Sequence, residues 1–315
     1  MSQSAPFRPP VDPLTGIAIG VALFAIASSA PLIAYAAAPA LAIAFWRNAL
    51  AVGVLTPVAG LRRRAELRRL ASRAGRREGL SCVLAGLALA VHFATWVPSA
   101  KLTSVAAATA LVATQPVWQG LIALAQGRRL RPVIWTGIGV AVAGAVLATG
   151  ADVTVSGRAV AGDLLAIAGG IAAAVYTALG ERARTSVSTT TYTTVCYTVC
   201  SLVLLGVCAV GGVRLTGFDG RTWLAILALV AGAQLLGHSL LNYALHRVSA
   251  TTISVLILLE VPGSGLIAWL WLGQTPRPGS LPGLALLVIG VAVVVLGGAH
   301  AARNAWKPVP DSTVQ

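Results

Sequence analysis

Charge is what this sequence has least of. Asp, Glu, Lys and Arg make up 10% of its 315 residues, against roughly 25% in a soluble globular domain. Water is therefore excluded as the main solvent. Acidic side chains are scarcest, nine against 23 Lys and Arg. They are dispersed, and neither H-E-x-x-H nor G-x-S-x-G occurs, which argues against an embedded enzyme. No G-x-x-x-x-G-K-[ST] loop is present, and no connection is long enough to hold a nucleotide-binding domain, so ATP-driven work is not expected. The four cysteines, Cys82, Cys196, Cys200 and Cys208, lie within apolar runs without a histidine or carboxylate at ligand spacing. They read as small apolar filler, with no metal and no cofactor implied.

Apolar residues are abundant, at 57%. They fall into ten runs, near 14–35, 39–60, 79–100, 103–126, 132–150, 161–181, 191–213, 222–245, 249–272 and 280–299. About 20 apolar residues cross roughly 30 Å of hydrocarbon as a helix. The expected fold is thus all-α and integral to the membrane, with ten transmembrane helices. The first run is long, and only Arg8, offset by Asp12, precedes it, so a retained span is expected rather than a cleaved signal.

The net charge of +14 does not indicate nucleic acid, because the arginines cluster in short joins. Eight lie between Arg62 and Arg77. With both termini inside, the inner segments hold seventeen Lys and Arg and the outer loops five, with Arg47 inside a span. Positive-inside bias selects that orientation, a multi-pass protein of the cytoplasmic membrane, N-in and C-in.

The halves repeat. A shift of 145 aligns Ser104 with Ser249, Gln115 with Glu260, and Gly120-Leu-Ile-Ala with Gly265-Leu-Ile-Ala; a shift of 146 pairs Gly144 with Gly290 and Gly16 with Gly162. Five spans per copy put the second copy into the membrane from the other side, the inverted-repeat plan of secondary carriers. The expected organisation is a tail at 1–13, a first repeat at 14–150, a second at 151–299 and a tail at 300–315.

On these residues the chain resembles the drug/metabolite transporter superfamily, in its ten-span EamA-type carriers. The resemblance covers about 14–299. It rests on Phe45-Trp46-Arg47, Gln115-Pro116 and the glycine-spaced fifth span, then on Gly162-Asp163, Asn242-Tyr243-Ala244-Leu245 and Glu260-Val261-Pro262. The sequence departs from the family pattern at Gly127-Arg128 and Gly273-Gln274, where a glutamate often follows Leu-Gly, and Pro262 falls one place late. The resemblance implies export or exchange of small metabolites, often amino acids or their relatives. It also implies a central cavity lined mainly by spans 1, 3, 4, 6, 8 and 9.

Polar groups within spans are the candidate substrate contacts, because each is costly in hydrocarbon. Glu260, near the middle of span 9, reads either as a proton- or amine-binding carboxyl or as a protonated group bonded to a neighbouring helix. Arg47 reads as a partner for an anionic group or as an anchor on helix carbonyls. His92 and His238 occupy corresponding spans, as cavity lining or as packing. Trp96, Trp118, Gln115, Gln234, Asn242 and Tyr243 add stacking and hydrogen-bonding capacity, with Phe93 beside them. Pro116 and Pro262 each free a carbonyl and are read as gating bends. Trp135, Trp223 and Trp269 read as an interfacial belt. Gly16, Gly20, Gly137, Gly139 and Gly144 read as close-packing positions, and span 5 also suits a homodimer.

The expected partners are the bilayer and a small-molecule substrate. The leading function is secondary transport by alternating access. A nucleotide-sugar or sugar-phosphate carrier is the alternative within transport, although Arg47 and Lys101 are few cations for a phosphate. A non-transporting scaffold or sensor is the alternative outside it.

Overall fold

Helix is the regular structure of the described residues, as lipid demands of a chain that must satisfy every backbone N–H and C=O internally. The structure, a computed structural model, describes residues 12–102, 105–149, 157–273, 279 and 281–305. Arg8, Ser104, Asp152, Gln274, Arg277 and Lys307, with the tails they belong to, lie outside those residues.

The chain runs α1 (Pro13–Ala27), α2 (Ser29–Tyr35), α3 (Ala40–Arg62), α4 (Arg64–Ala71), α5 (Arg76–Leu102), α6 (Val105–Val112), α7 (Gln115–Ala125) and α8 (Pro132–Thr149). It continues with α9 (Gly157–Ala183), α10 (Thr189–Val210), α11 (Gly220–Leu229), a π-helical stretch Val230–His238, α12 (Ser239–Ala244), α13 (Ala250–Ile257), α14 (Glu260–Leu272) and α15 (Leu281–Ala305). Among the described residues, seven helical segments are long and apolar enough to cross a membrane, and two shorter apolar helices cover 132–148 and 281–297. Large apolar side chains such as Leu14, Phe24, Leu202, Leu224 and Leu296 are more than 60% exposed. That exterior suits lipid.

Four expected spans are not continuous α-helices. Span 1 breaks at Ser28, span 4 between α6 and α7, and span 9 at Leu258 and Leu259; span 8 passes through the π-helical stretch. The breaks in spans 4 and 9 fall just before Pro116 and Pro262, since a proline near the start of a helix forfeits an N–H that would be unpaired anyway. Both broken spans close the same way. Gly127 and Gly273, 146 residues apart, hold φ of 77° and 67°, the left-handed conformation that ends a helix without steric cost in glycine. At the other extreme of the chain, α15 runs on through 300–305, which the sequence assigns to the tail.

α8 and α15 cross at backbone contact. A Cβ on Gly144 would lie 2.2 Å from the Leu287 nitrogen, and one on Gly290 2.3 Å from the Ala141 nitrogen. Gly137 is likewise filled by Val294. The packing expectation therefore holds at Gly137 and Gly144. It fails at Gly16, Gly20 and Gly139, where a Cβ would meet nothing within 4 Å. Gly16→Ala is accordingly expected to leave the stability read from melts unchanged or to raise it by up to about 1 kcal/mol of helix propensity. The Trp135 ring packs on Gly120, and Trp223 lies against Trp46 and Phe218. Trp269 stays exposed.

One end of the bundle is basic and tied together by polar contacts. α4 is docked there: its Glu66 carboxylate accepts from the Ser188 N–H at 2.7 Å, the Ser188 hydroxyl at 2.5 Å and the Thr191 hydroxyl at 2.7 Å. Partial burial would raise the Glu66 pKa, but these hydrogen bonds outweigh it and hold the carboxyl below its ordinary value. Stabilisation from this clamp is complete above the unfolded-state carboxylate value and is lost as pH falls through the lower native one. Glu66→Gln is expected to cost about 1.5 kcal/mol at neutral pH, the scale of hydrogen bonds to a charged group. The gap between variant and parent, read by thermal melts, closes in acid. At the opposite end the Lys101 ammonium donates to the Ala38 carbonyl at 2.7 Å and the Trp46 indole to the Leu215 carbonyl at 2.7 Å.

Candidate functional site: a central polar cavity

A cavity of about 80 Å³ lies where the interrupted helices meet. Its wall draws on α1 and α2, α3, α5, α6 and α7, α9, the π-helical stretch with α12, and α13 with α14. These are spans 1, 3, 4, 6, 8 and 9, joined by Arg47 from span 2. Helix breaks belong at such a place, because carbonyls released from a helix need a wet or polar neighbour within the membrane.

Arg47 is 1% exposed and locked on three sides. Its Nε donates to the Gln234 side-chain oxygen at 2.9 Å, Nη1 donates to the Ser29 hydroxyl at 3.4 Å, and the guanidinium stands 4.3 Å from the Phe93 ring centroid. The Gln234 amide in turn donates to the Asn48 side-chain oxygen at 3.1 Å. Gln234 thus orients Arg47 from behind rather than lining the cavity. It sits in the π-helical stretch, a wider turn that often marks functional positions.

Glu260 and Gln115 face the cavity from equivalent places. Gln115 is the first residue of α7 and Glu260 the first of α14. The Gln115 amide donates to the Thr177 hydroxyl at 3.2 Å. Both members of the aligned pair therefore sit at the mouth of a half-helix.

The two histidines also meet here. His92 Nδ1 is 2.9 Å from the Gly169 carbonyl, which can only accept, so that nitrogen carries the hydrogen. The His92 ring lies parallel to Trp96, with centroids 5.8 Å apart. His238 approaches Phe93 edge-on at 5.5 Å. Trp96 lines the cavity, and its indole N–H is buried without a hydrogen-bond partner among the described residues. Asn242 donates to the Tyr176 hydroxyl at 2.6 Å.

Of the residues singled out from sequence, Glu260, Arg47, His92, Trp96, Gln115, His238, Asn242 and Pro116 line the cavity. Trp118, Tyr243 and Pro262 do not. The Trp118 indole donates to the Thr114 hydroxyl at 3.2 Å, and Tyr243 packs against the His246 ring at 4.9 Å. Pro262 lies two residues beyond Glu260 within α14, so its effect on the wall is through the break. Sequence reasoning missed Tyr176, Thr177, Ser29 and Ser254. The first two had a signal, since Thr177 and Glu181 are one helical turn apart on an otherwise small and apolar α9.

An apolar exterior around a buried chamber of hydrogen-bonding groups, bounded by broken helices, is the build of a membrane transporter. The EamA-like transporter family model matches the chain twice, over residues 14–150 and 160–296. The chain belongs to the EamA-like transporter family: it is a multi-pass membrane protein built from two repeats, consistent with the drug/metabolite transporter superfamily. Among solved structures 28 chains match. One, described as "Crystal structure of protein", aligns with 94% of this chain and 100% of its own at 20% identity, with a TM-score of 0.76. That likeness bears on the fold. No curated protein matches the chain.

Proposed function

We infer that the protein is a secondary transporter that exports or exchanges small metabolites, amino-acid-like or otherwise polar and amphipathic, by alternating access. The observation that carries this reading is the placement of Arg47 on the wall of one cavity with Glu260 and Gln115, which stand at two equivalent helix breaks. A cation and a carboxyl in one chamber, with amides and aromatic faces between them, suit a zwitterion better than a phosphate, which calls for several cations. Arg47 takes the anionic group, and Glu260 takes the amine or a proton. His92, Trp96, His238 and Asn242 complete the contacts, and the breaks ahead of Pro116 and Pro262 serve as gating bends. Trp118, Tyr243 and Gln234 act from behind the wall.

The proposed architecture is ten spans in two inverted five-helix repeats, at 14–150 and 151–299. Helix direction supports it. α6 and α7 end beside Arg128 at the basic end, whereas the matching α13 and α14 begin there and end where Trp271 meets Tyr35 at the opposite end. Taking the two shorter helices and the broken span 4 as crossings beside the seven long segments supports a count of ten. The basic end faces the cytoplasm with both termini, in the plasma membrane. A homodimer through span 5 remains part of this reading.

Arg47→Gln tests the assignment. With purified protein in liposomes, half-saturation for substrates bearing a carboxylate is expected to rise about 10- to 100-fold, the scale of a lost charge-assisted hydrogen bond. Uncharged substrates are expected to change much less. An equal effect on both would make Arg47 an anchor and remove it from recognition.

A further inference from the structure

A second opening lies at the basic end, a cleft of about 170 Å³ lined by Ala123, Arg128, Leu130, Ile134, Ser249, Thr251, Thr252 and Val294. It and the central cavity share two walls, α7 and α13, and α9 reaches both. On α7, Gln115 and Pro116 line the cavity and Ala123 the cleft. On α13, Ile253, Ser254 and Ile257 line the cavity and Thr251 and Thr252 the cleft. Thr177 of α9 lines the cavity, and one turn further on Glu181 meets Arg128 of the cleft at 3.1 Å.

Gln119 stands between the two openings. Residues 115, 119 and 123 succeed one another at intervals of four, so they share one face of α7. All three are buried, Gln119 at 0% exposure, and neither its amide nitrogen nor its amide oxygen has a hydrogen-bond partner among the described residues. An unpaired amide is among the costlier things to bury, and it persists where another state satisfies it. An apolar side chain of the same size would serve a permanently closed helix contact better.

We propose that the central cavity and the basic-end cleft are parts of one transport path, closed at Gln119 in this structure and latched by the Arg128–Glu181 ion pair. The inference rests on the carrier reading and extends it by naming the cytoplasmic gate and a path residue. When the latch parts, α7 and α9 separate, the Gln119 amide gains water or the polar groups of the passing substrate, and the cavity empties to the cytoplasm. The latch crosses between the repeats, from the end of α7 to the end of α9, so repeat movement acts directly on it. Its counterpart in the other copy is missing: a shift of 145 or 146 places Gly273 or Gln274 opposite Arg128, and Ala36 or Tyr35 opposite Glu181. The two copies therefore differ in this ion pair.

Thiol accessibility reads this without any substrate. The four native cysteines are buried, so the parent protein supplies the blank. Gln119→Cys, in vesicles exposing the basic end, is treated with a charged, membrane-impermeant methanethiosulfonate. Slow labelling is expected with the latch intact. Labelling about tenfold faster is expected when Glu181→Gln or Arg128→Gln is added, the factor of one lost charge-assisted contact. The exchanged pair Arg128→Glu with Glu181→Arg is expected to restore the slow rate, which separates a latch from mere loosening of the fold. Rates that ignore all three changes overturn the proposal, as does an exchanged pair that labels as fast as the single variants. A latch that behaves as expected in protein without measurable flux would sink the carrier reading and leave the gate standing.

Discussion

Glu260→Gln is expected to abolish gradient-driven flux while leaving the melting profile close to that of the parent. Glutamine keeps the shape and hydrogen-bonding capacity of the side chain but neither releases a proton nor carries charge. Glu260 opens α14 on the cavity wall, away from the α8–α15 crossing and the Glu66 clamp, so the helix packing that holds the bundle is untouched. Removing one charge-assisted contact with a bound amine is worth about 10- to 100-fold in apparent affinity. Loss of a coupled proton is more drastic, because it uncouples transport from its gradient altogether. The assay is uptake into liposomes with and without an imposed pH gradient. Unchanged flux with unchanged pH dependence would remove Glu260 from the mechanism.

Gly290→Val is expected to be the most damaging single change to the fold. The new Cβ would lie 2.3 Å from the Ala141 nitrogen and 2.6 Å from its Cα. Backbone of a facing helix does not swing aside as a flexible side chain does, so α15 must retreat from α8 along its length. Overpacking of side chains costs about 1–3 kcal/mol, and a backbone clash lies at or beyond the top of that range. The comparison is Gly139→Val on the same helix pair, where the added carbon meets nothing within 4 Å. Fluorescence-detected chromatography and melts in detergent are expected to show aggregated or low-melting Gly290→Val beside a near-normal Gly139→Val. Equal behaviour of the two would mean that this crossing does not hold the bundle together.

The contrast between Gly139 and Gly290 shows where sequence reading stops. Apolar runs reveal helices because lipid imposes length and composition on each segment separately. The side of a helix on which a glycine matters depends on its neighbour, which no local pattern records. Arg47 and Gln234 illustrate the same limit, since their hydrogen bond joins residues 187 apart. Each is visible as a polar group inside a span, yet which one faces the cavity follows only from the packing. The repeat carried further. Pro116 and Pro262, one in each aligned segment and read as bends, stand within a few residues of both helix breaks. Span 8 carried no such cue. Its π-helical turn leaves Gly232 and Gly237 as the trace, and glycines are common throughout this chain. Tyr176 and Thr177 were passed over because α9 reads as a plain small-residue helix unless Glu181 at its end is taken as the start of a polar face.

Solute counterflow tests the account most directly. Purified protein is reconstituted into liposomes loaded with an unlabelled amino acid, and entry of the labelled form is followed across a panel of zwitterionic, anionic and cationic members. The account predicts saturable counterflow for at least one zwitterion, lost when Ser254→Trp fills the cavity and retained in Gly139→Val. Counterflow that survives the blocked cavity, or none for any member of the panel, would contradict it.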